Sequence, residues 1–229
     1  MKQQGKYLLH WMGVDLIHVG HRERLLAAAG ALLGISLCWA ISISVVGSTS
    51  ATLIIASMGA GAVLLFAVPH GALSQPWPAL GGHLLPAIVG VSCARWIGPT
   101  WLAAAMAVSG AVLLMHYARC LHPPGGATAL IAVVGGPDIH ALGYAYVLEP
   151  VLLNAMTLLV CALIFNNLNR SRRYPAALAR SGGILPLSAG DIRVEHLRAA
   201  LTEMDMVEDI SEEDLLRIIH RATHHARAE

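Results

Sequence analysis

Between residues 25 and 169 the chain holds only four formally charged side chains, Arg95, Arg119, Asp138 and Glu149. A charge at the centre of a bilayer costs about 2.5–3.5 kcal/mol on insertion scales, while a water-soluble domain of this length would be far richer in charge. The run therefore belongs in lipid. Composition agrees, since 56% of the 229 residues are hydrophobic and the mean hydropathy is +0.62. A formal net charge of +1 leaves no broad basic field to gather phosphates, which argues against nucleic acid as a partner.

At 1.5 Å per residue, a hydrocarbon core of about 30 Å needs about 20 helical residues. Residues 25–46, 81–97, 101–118 and 141–165 meet or approach that length. Two further apolar segments are short or re-entrant: 51–68, interrupted by Gly59 and Gly61, and Pro124–Val134, about 16 Å long as a helix. The two short segments resemble each other. Gly59-Ala60-Gly61-Ala62 aligns with Gly126-Ala127-Thr128-Ala129 at an offset of 67 residues, and Pro69 and Pro137 follow the respective runs. The same offset lays the second span on the last, giving two internal repeats. Three crossings per repeat would invert the second relative to the first, as in many transporters, whereas two re-entrant segments would leave the repeats parallel.

The expected fold is an all-α polytopic membrane protein in three parts: an interfacial N-terminal segment over 1–24, a transmembrane domain over 25–169, and a small soluble helical tail over 170–229. Lys2, Lys6, Arg22 and Arg24 precede the first span and Arg170, Arg172 and Arg173 follow the last, so the positive-inside bias puts both ends in the cytoplasm. The first 24 residues lack the apolar core and small-residue cleavage site of a signal peptide. Cys38, Cys93, Cys120 and Cys161 lie far apart in apolar runs and read as small hydrophobes. In the tail, Val194, Leu197, Leu201 and Met204 keep helical spacing, and Leu215, Ile218 and Ile219 mark a second amphipathic helix. His220 and His224 sit at i, i+4, but nothing closes a ligand set at metal spacing, and a solvated face is expected. The same argument sets aside His116, Cys120 and His122 as a metal centre.

The chemistry concentrates in "LHPPGGATAL". Pro123 and Pro124 suit the first turn of a helix, where a missing N–H costs nothing, and Gly135-Gly136-Pro137 stops that helix. A half-helix inside the membrane leaves its first N–H groups to be satisfied by protein or by a guest. Gly125 and Gly126 let a small anion approach the backbone, the helix dipole favours it, and Thr128 adds a hydroxyl. His122 at the entry is read as a neutral donor or a proton acceptor. The first repeat offers Ser57, Gly59 and Gly61, with Gln75 and His83 in or after the proline-rich connection, and Asn154 is an amide within the last span. A plainer reading competes at each position: small residues allow close helix packing in lipid, and the hydroxyls and the histidine can be hydrogen-bonded struts.

"GAGAVLLFAVP", "SQP", "GGH", "LHPPGGATAL", "PVLLNAM" and "FNNLNRSRRYP" together resemble the HPP family of integral membrane proteins, named for the motif at His122-Pro123-Pro124. The resemblance covers about residues 22–175. It implies four transmembrane helices, residence in a bacterial inner membrane and, because plastid and cyanobacterial members are implicated in nitrite transport, passage of nitrite or a similar oxyanion. "LRAALTEMDMVEDISEEDLLRIIHRA" is similar to the stretch that leads into paired CBS domains in longer relatives; no such nucleotide-sensing pair is expected in this chain. The expected function is a transporter or channel for a small monovalent anion, without cofactor or metal, expected to assemble as a homo-oligomer in lipid. The rival is a membrane scaffold or sensor whose tail binds a cytoplasmic partner. An enzyme is not expected, because no carboxylate pair or nucleophile with a base stands at the motif.

Overall fold

The computed structural model describes residues 20–179 together with Leu215 and Ile219. The amphipathic tail helices, the tail histidines and most of the N-terminal segment lie outside the described residues. Helix α1 (His21–Ala67) is followed by a 3-10 turn (Ala72–Ser74), α2 (Pro76–Trp96), α3 (Thr100–Tyr117), α4 (Pro124–Val134) and α5 (Pro137–Leu142). Then come α6 (Val147–Asn167), a second 3-10 turn (Arg170–Arg172) and α7 (Ala176–Ala179). The first six residues of α6, Val147–Leu152, are π-helical around Pro150, the local widening expected where a proline removes a backbone donor.

A straight α1 would hold Gly30 and Phe66 about 54 Å apart, yet the Phe66 ring lies directly against Gly30 and Gly34. The helix therefore folds back on itself as two arms, His21–Ser44 and Ile54–Ala67. The first arm, α2, α3 and α6 are each long and apolar enough to cross a membrane, and the second arm and α4 are shorter apolar helices. These are the four spans and two short segments legible in the sequence.

The contacts give every helix a direction. Trp77 Nε1 donates to Ala118 O over 3.0 Å and Val89 faces Gly110, so α2 and α3 are antiparallel. Gly82 meets His122 and Gly125 while Gly90 meets Ala129 and Ala132, so α2 and α4 run parallel. Cys38 Sγ reaches Asn154 O at 3.6 Å and Gly30 meets Phe165, which sets the first arm antiparallel to α6. Gly61 against Leu158 and Phe66 against Phe165, ring centroids 5.8 Å apart, set the second arm parallel to α6. Ile54 packs with Ala87 and Val91, and Leu65 with Ala79, so the second arm opposes α2.

Among the described residues the chain thus makes six passes between the two ends of the bundle. First arm, second arm and α2 run up, down, up; their equivalents at an offset of 67, α3, α4 and α6, run down, up, down. The repeats are inverted, and each contributes its third helix to the hairpin of the other: α2 packs between α3 and α4, α6 between the two arms of α1. This corrects the re-entrant alternative. Neither short helix turns back to the end it came from, because the helix that follows it starts at the opposite end. In a bundle buried in lipid the hydrophobic effect between helices is small, and such close interlocking supplies the packing instead.

The ends of the short helices show how a brief crossing is satisfied. At the end of the second arm, Ser74 Oγ donates to Leu64 O at 3.0 Å, Asn166 Nδ2 to Leu65 O at 3.0 Å, and Arg172 to Phe66 O. At the equivalent end of α4, Gly135 N reaches Ile131 O at 2.8 Å and His140 Nε2 reaches Val133 O at 2.8 Å. Carbonyls that water would otherwise have to reach are capped by protein groups.

The domain boundary moves accordingly. Residues 170–176, assigned from sequence to the tail, belong to the bundle: Arg172, Tyr174 and Ala176 are buried. Tyr174 Oη donates to Ser74 O at 2.7 Å, and Ala176 N to Gln75 Oε1 at 2.9 Å. Glu23 pairs with Arg172, so the two ends of the described bundle lie on one side. That end also carries Arg22, Arg24, Arg119, Arg170 and Arg173, whereas the opposite end carries Arg95, Asp138 and Glu149. Trp96 and Trp101 are exposed at that opposite end and Trp77 and Tyr117 at the other, two aromatic girdles about 28 Å apart along α2, close to the thickness of a hydrocarbon core.

The six-pass arrangement has a direct check. With cysteines placed at Gly98, exposed with nothing near its Cβ position, and at Ser171, also exposed, an impermeant thiol reagent is expected to label them from opposite sides of the membrane. Labelling of both from the same side would restore two re-entrant segments and parallel repeats.

Candidate functional site

The repeat interface brings together three of the polar residues singled out by sequence: His83 of α2, His122 at the entry to α4, and Thr128 of α4, all buried. His83 Nδ1 and Thr128 Oγ1 are 2.8 Å apart, and Thr128 Oγ1 also lies 3.3 Å from Pro124 O. Thr128 has one hydroxyl proton. Given to Pro124 O, it leaves His83 Nδ1–H as donor to the hydroxyl; given to His83 Nδ1, it leaves the proton of that ring on Nε2. The rings of His83 and His122 meet edge to face with centroids 5.0 Å apart.

The tautomer of His122 is fixed. Its Nδ1 lies 2.8 Å from Leu73 O, and a carbonyl only accepts, so Nδ1 carries the proton and neutral Nε2 presents a lone pair. That Nε2 is buried and without a hydrogen-bond partner, a costly state for a polar atom in a protein interior. The expectation of a neutral donor at His122 is corrected here, and the proton-acceptor alternative is what the geometry offers.

Gly61 completes the site. A Cβ placed there would lie 3.5 Å from His83 Nε2 and 3.7 Å from His122 Nε2, so the missing side chain leaves a methyl-sized gap bordered by both ring nitrogens. Gly61 and Thr128 are equivalent positions in the two repeats, and both meet His83, one at each ring nitrogen. The polar cluster therefore sits where the inverted repeats cross, the place where transporters of such construction hold their substrates.

The remaining predicted residues divide. Gly125 N donates to His122 O at 2.9 Å and Gly126 N to Pro123 O at 3.1 Å, so neither N–H is free for an anion, which corrects the half-helix anion hole. Gly125 instead admits the backbone of α2: Pro86 lacks the N–H that would bond Gly82 O, and this carbonyl lies against Gly125. The packing alternative holds there. Gly126, like Gly59, has open space at its Cβ position, and Pro124 is buried while Pro123 is exposed. Ser57 Oγ donates to Ile54 O at 2.9 Å within its own helix. Gln75 is a strut of the connection, donating to Pro69 O at 3.1 Å and Gly71 O at 2.7 Å. Asn154 lies apart, donating to Ser42 Oγ at 2.8 Å and to Pro150 O at 2.7 Å, with Oδ1 unpartnered.

Sequence reasoning missed the Leu73 carbonyl, which sets the tautomer from 49 residues away and carries no side-chain signal. It also missed Arg172, which was read only as a topology charge although it binds Glu23, Phe66 O and Asn166 Oδ1 together.

Comparison with known proteins agrees with this architecture. Two Dictyostelium discoideum proteins, each described as a transmembrane protein, are 40% identical to the chain over 126 residues, 53% of this chain and 40% and 44% of theirs. The chain thus spans less than half the length of these relatives. No solved structure matches it. Residues 17–175 match the family model described as the HPP transmembrane region, the stretch that forms the inverted repeats and holds the His-Pro-Pro motif, and on that match the chain belongs to the HPP family of membrane proteins.

Proposed function

We propose that the bundle passes a small monovalent anion, nitrite or a similar oxyanion, through the His83–His122–Gly61 space at the repeat interface. The observation that carries this reading is the unpartnered Nε2 of His122 bordering the gap left by Gly61. A buried acceptor without a partner is stabilised only by a guest that brings it a hydrogen bond, and the gap beside a glycine suits a small one. No lysine or arginine is needed there. A strongly basic pocket would hold an anion rather than release it, so a neutral site suits passage better than storage. The oxyanion identity rests on the family resemblance, and the bacterial inner membrane is proposed on the same ground. Cytoplasmic placement of both ends follows from the basic side chains gathered at the Glu23–Arg172 end.

The test is anion uptake by purified protein in liposomes. Gly61→Ala puts its methyl in ordinary contact with both rings and 3.3 Å from Leu158 Cδ2, a distance at which a leucine side chain gives way. The variant is therefore expected to elute as wild type in detergent while nitrite flux falls at least tenfold. Full flux through Gly61→Ala would remove the space from the pathway. No anion flux by the wild-type protein above empty liposomes would defeat the transport reading and favour the scaffold or sensor alternative.

A further inference from the structure

The site as built is at odds with a bare anion. Leu73 O holds the only proton of neutral His122 on Nδ1, and the lone pair on Nε2 repels the oxygens of nitrite as any acceptor repels another. A proton must stand between them. We propose that the protein moves the anion together with one proton, with His122 Nε2 taking the proton while the anion occupies the space beside Gly61. This rests on the anion reading and adds its coupling.

The surroundings favour one proton and bind it to the presence of the anion. Around the His122 ring stand Gly82 and His83 from α2, Gly61 from the second arm, the Leu73 carbonyl from the turn before α2, and Thr128 from α4, which acts through His83. Cys120, two residues back, packs on Gly81. Among the described residues no carboxylate and no lysine or arginine meets the ring. An imidazolium there has no built-in counter-ion, and a charge in a dry interior without one is strongly disfavoured. The incoming anion supplies the counter-charge, and the proton turns Nε2 into a donor for the anion's oxygen. Each stabilises the other, and neither is held well alone. His83, with its ring centroid 5.0 Å away, keeps the count at one, because two imidazolium ions at that distance repel. One proton from water and one anion enter, one N–H bond forms and is later broken, and both are released on the far side. The protein is unchanged and the net charge moved is zero.

The experiment uses the full chain in liposomes loaded with a pH-sensitive dye, with sodium nitrite added outside and empty liposomes setting the passive leak of nitrous acid. The expected result is protein-dependent nitrite entry accompanied by one proton each, insensitive to a potassium-diffusion potential, and rising about tenfold per unit of external acidification while proton binding limits the rate. His122→Gln, which offers an amide but does not titrate, is expected to lose the pH dependence. His122→Asn keeps a donor near the Nδ1 position for Leu73 O, leaves the Nε2 position empty, and should lose both the flux and the acid stimulation. Wild-type nitrite flux that follows the membrane potential and does not acidify the lumen would overturn the coupling and leave anion passage standing. An unaltered pH profile in both variants, each monodisperse in detergent, would take the proton off His122 and overturn the proposal. Absence of any protein-dependent flux would overturn the anion reading and this inference with it.

Discussion

Replacing Gly125 with alanine is expected to destroy the folded bundle, whereas the same replacement at Gly126 leaves it intact. A methyl at Gly125 would be driven into the Gly82 carbonyl, with Pro86 Cγ at 2.9 Å and Gly82 C at 3.0 Å behind it. The obstacle is helix backbone, which cannot rotate aside as a side chain can. Overpacking a core costs about 1–3 kcal/mol when side chains can adjust; separating α2 from α4 would exceed that and open the interface that holds His122. At Gly126 nothing lies within 4 Å of the added carbon, and alanine is the better helix former by about 1 kcal/mol. Size-exclusion profiles and thermal unfolding in detergent should show aggregated or unrecoverable Gly125→Ala beside Gly126→Ala at or slightly above wild-type stability. Equal behaviour of the two variants would mean that the α2–α4 contact is looser than described.

The second large effect is expected at Arg172. Its guanidinium is 2% exposed and serves Glu23, Phe66 O and Asn166 Oδ1, the last at 3.0 Å and 3.2 Å through two nitrogens. Burial pulls its pKa down and Glu23 draws it back up, an arrangement that works because the planar fork satisfies several acceptors at once. Arg172→Ala would leave the end of the second arm and Asn166 without their donor. Removing one member of a buried pair costs about 3–5 kcal/mol, and the lower figure applies because Glu23 is itself 36% exposed. About 3 kcal/mol corresponds to roughly 6–12 °C in melting temperature for a chain of this size. Arg172→Lys should recover only part of it, since an ammonium cannot reach all three acceptors in one plane. Glu23→Gln should cost under about 1 kcal/mol, as partly exposed pairs do. An Arg172→Ala variant melting within 2 °C of wild type, about 1 kcal/mol at most, would show that the closing turn is not part of the fold's support.

The two predictions fall on residues that the sequence presents misleadingly. In "PPGG" the glycines look alike, and a half-helix N-terminus makes both plausible anion donors. Only the approach of α2, directed by a proline 39 positions earlier in the chain, assigns one to packing and leaves the other open. Arg172 stands in a basic cluster typical of a cytoplasmic flank, and its neighbours Arg170 and Arg173 are indeed exposed. Its burial depends on Glu23, 149 residues away in the chain but at the same end of the bundle. The histidine motif shows the same limit more finely: its placement at the mouth of a short helix follows from the prolines, but the protonated nitrogen is chosen by a backbone carbonyl, to which side-chain identity contributes nothing.

The class of molecule and its plan were legible in the chain's residues. The scarcity of charge, the span lengths, the offset of 67 residues between repeats, and the basic flanks all reflect local or additive costs of placing residues in lipid, and such costs can be read one residue at a time. The sequence also named His83, His122, Thr128 and Gly61, because polar and glycine positions in an apolar run are few. Tertiary contacts set the repeats inverted and interlocked, carry the chain to the opposite end at each short helix, and bring Gly61 and Thr128 to opposite sides of one imidazole. These are facts about direction and proximity between segments far apart in the chain. They depend on how backbones approach and which carbonyls are left free, and the amino-acid string carries that information only through the fold it makes.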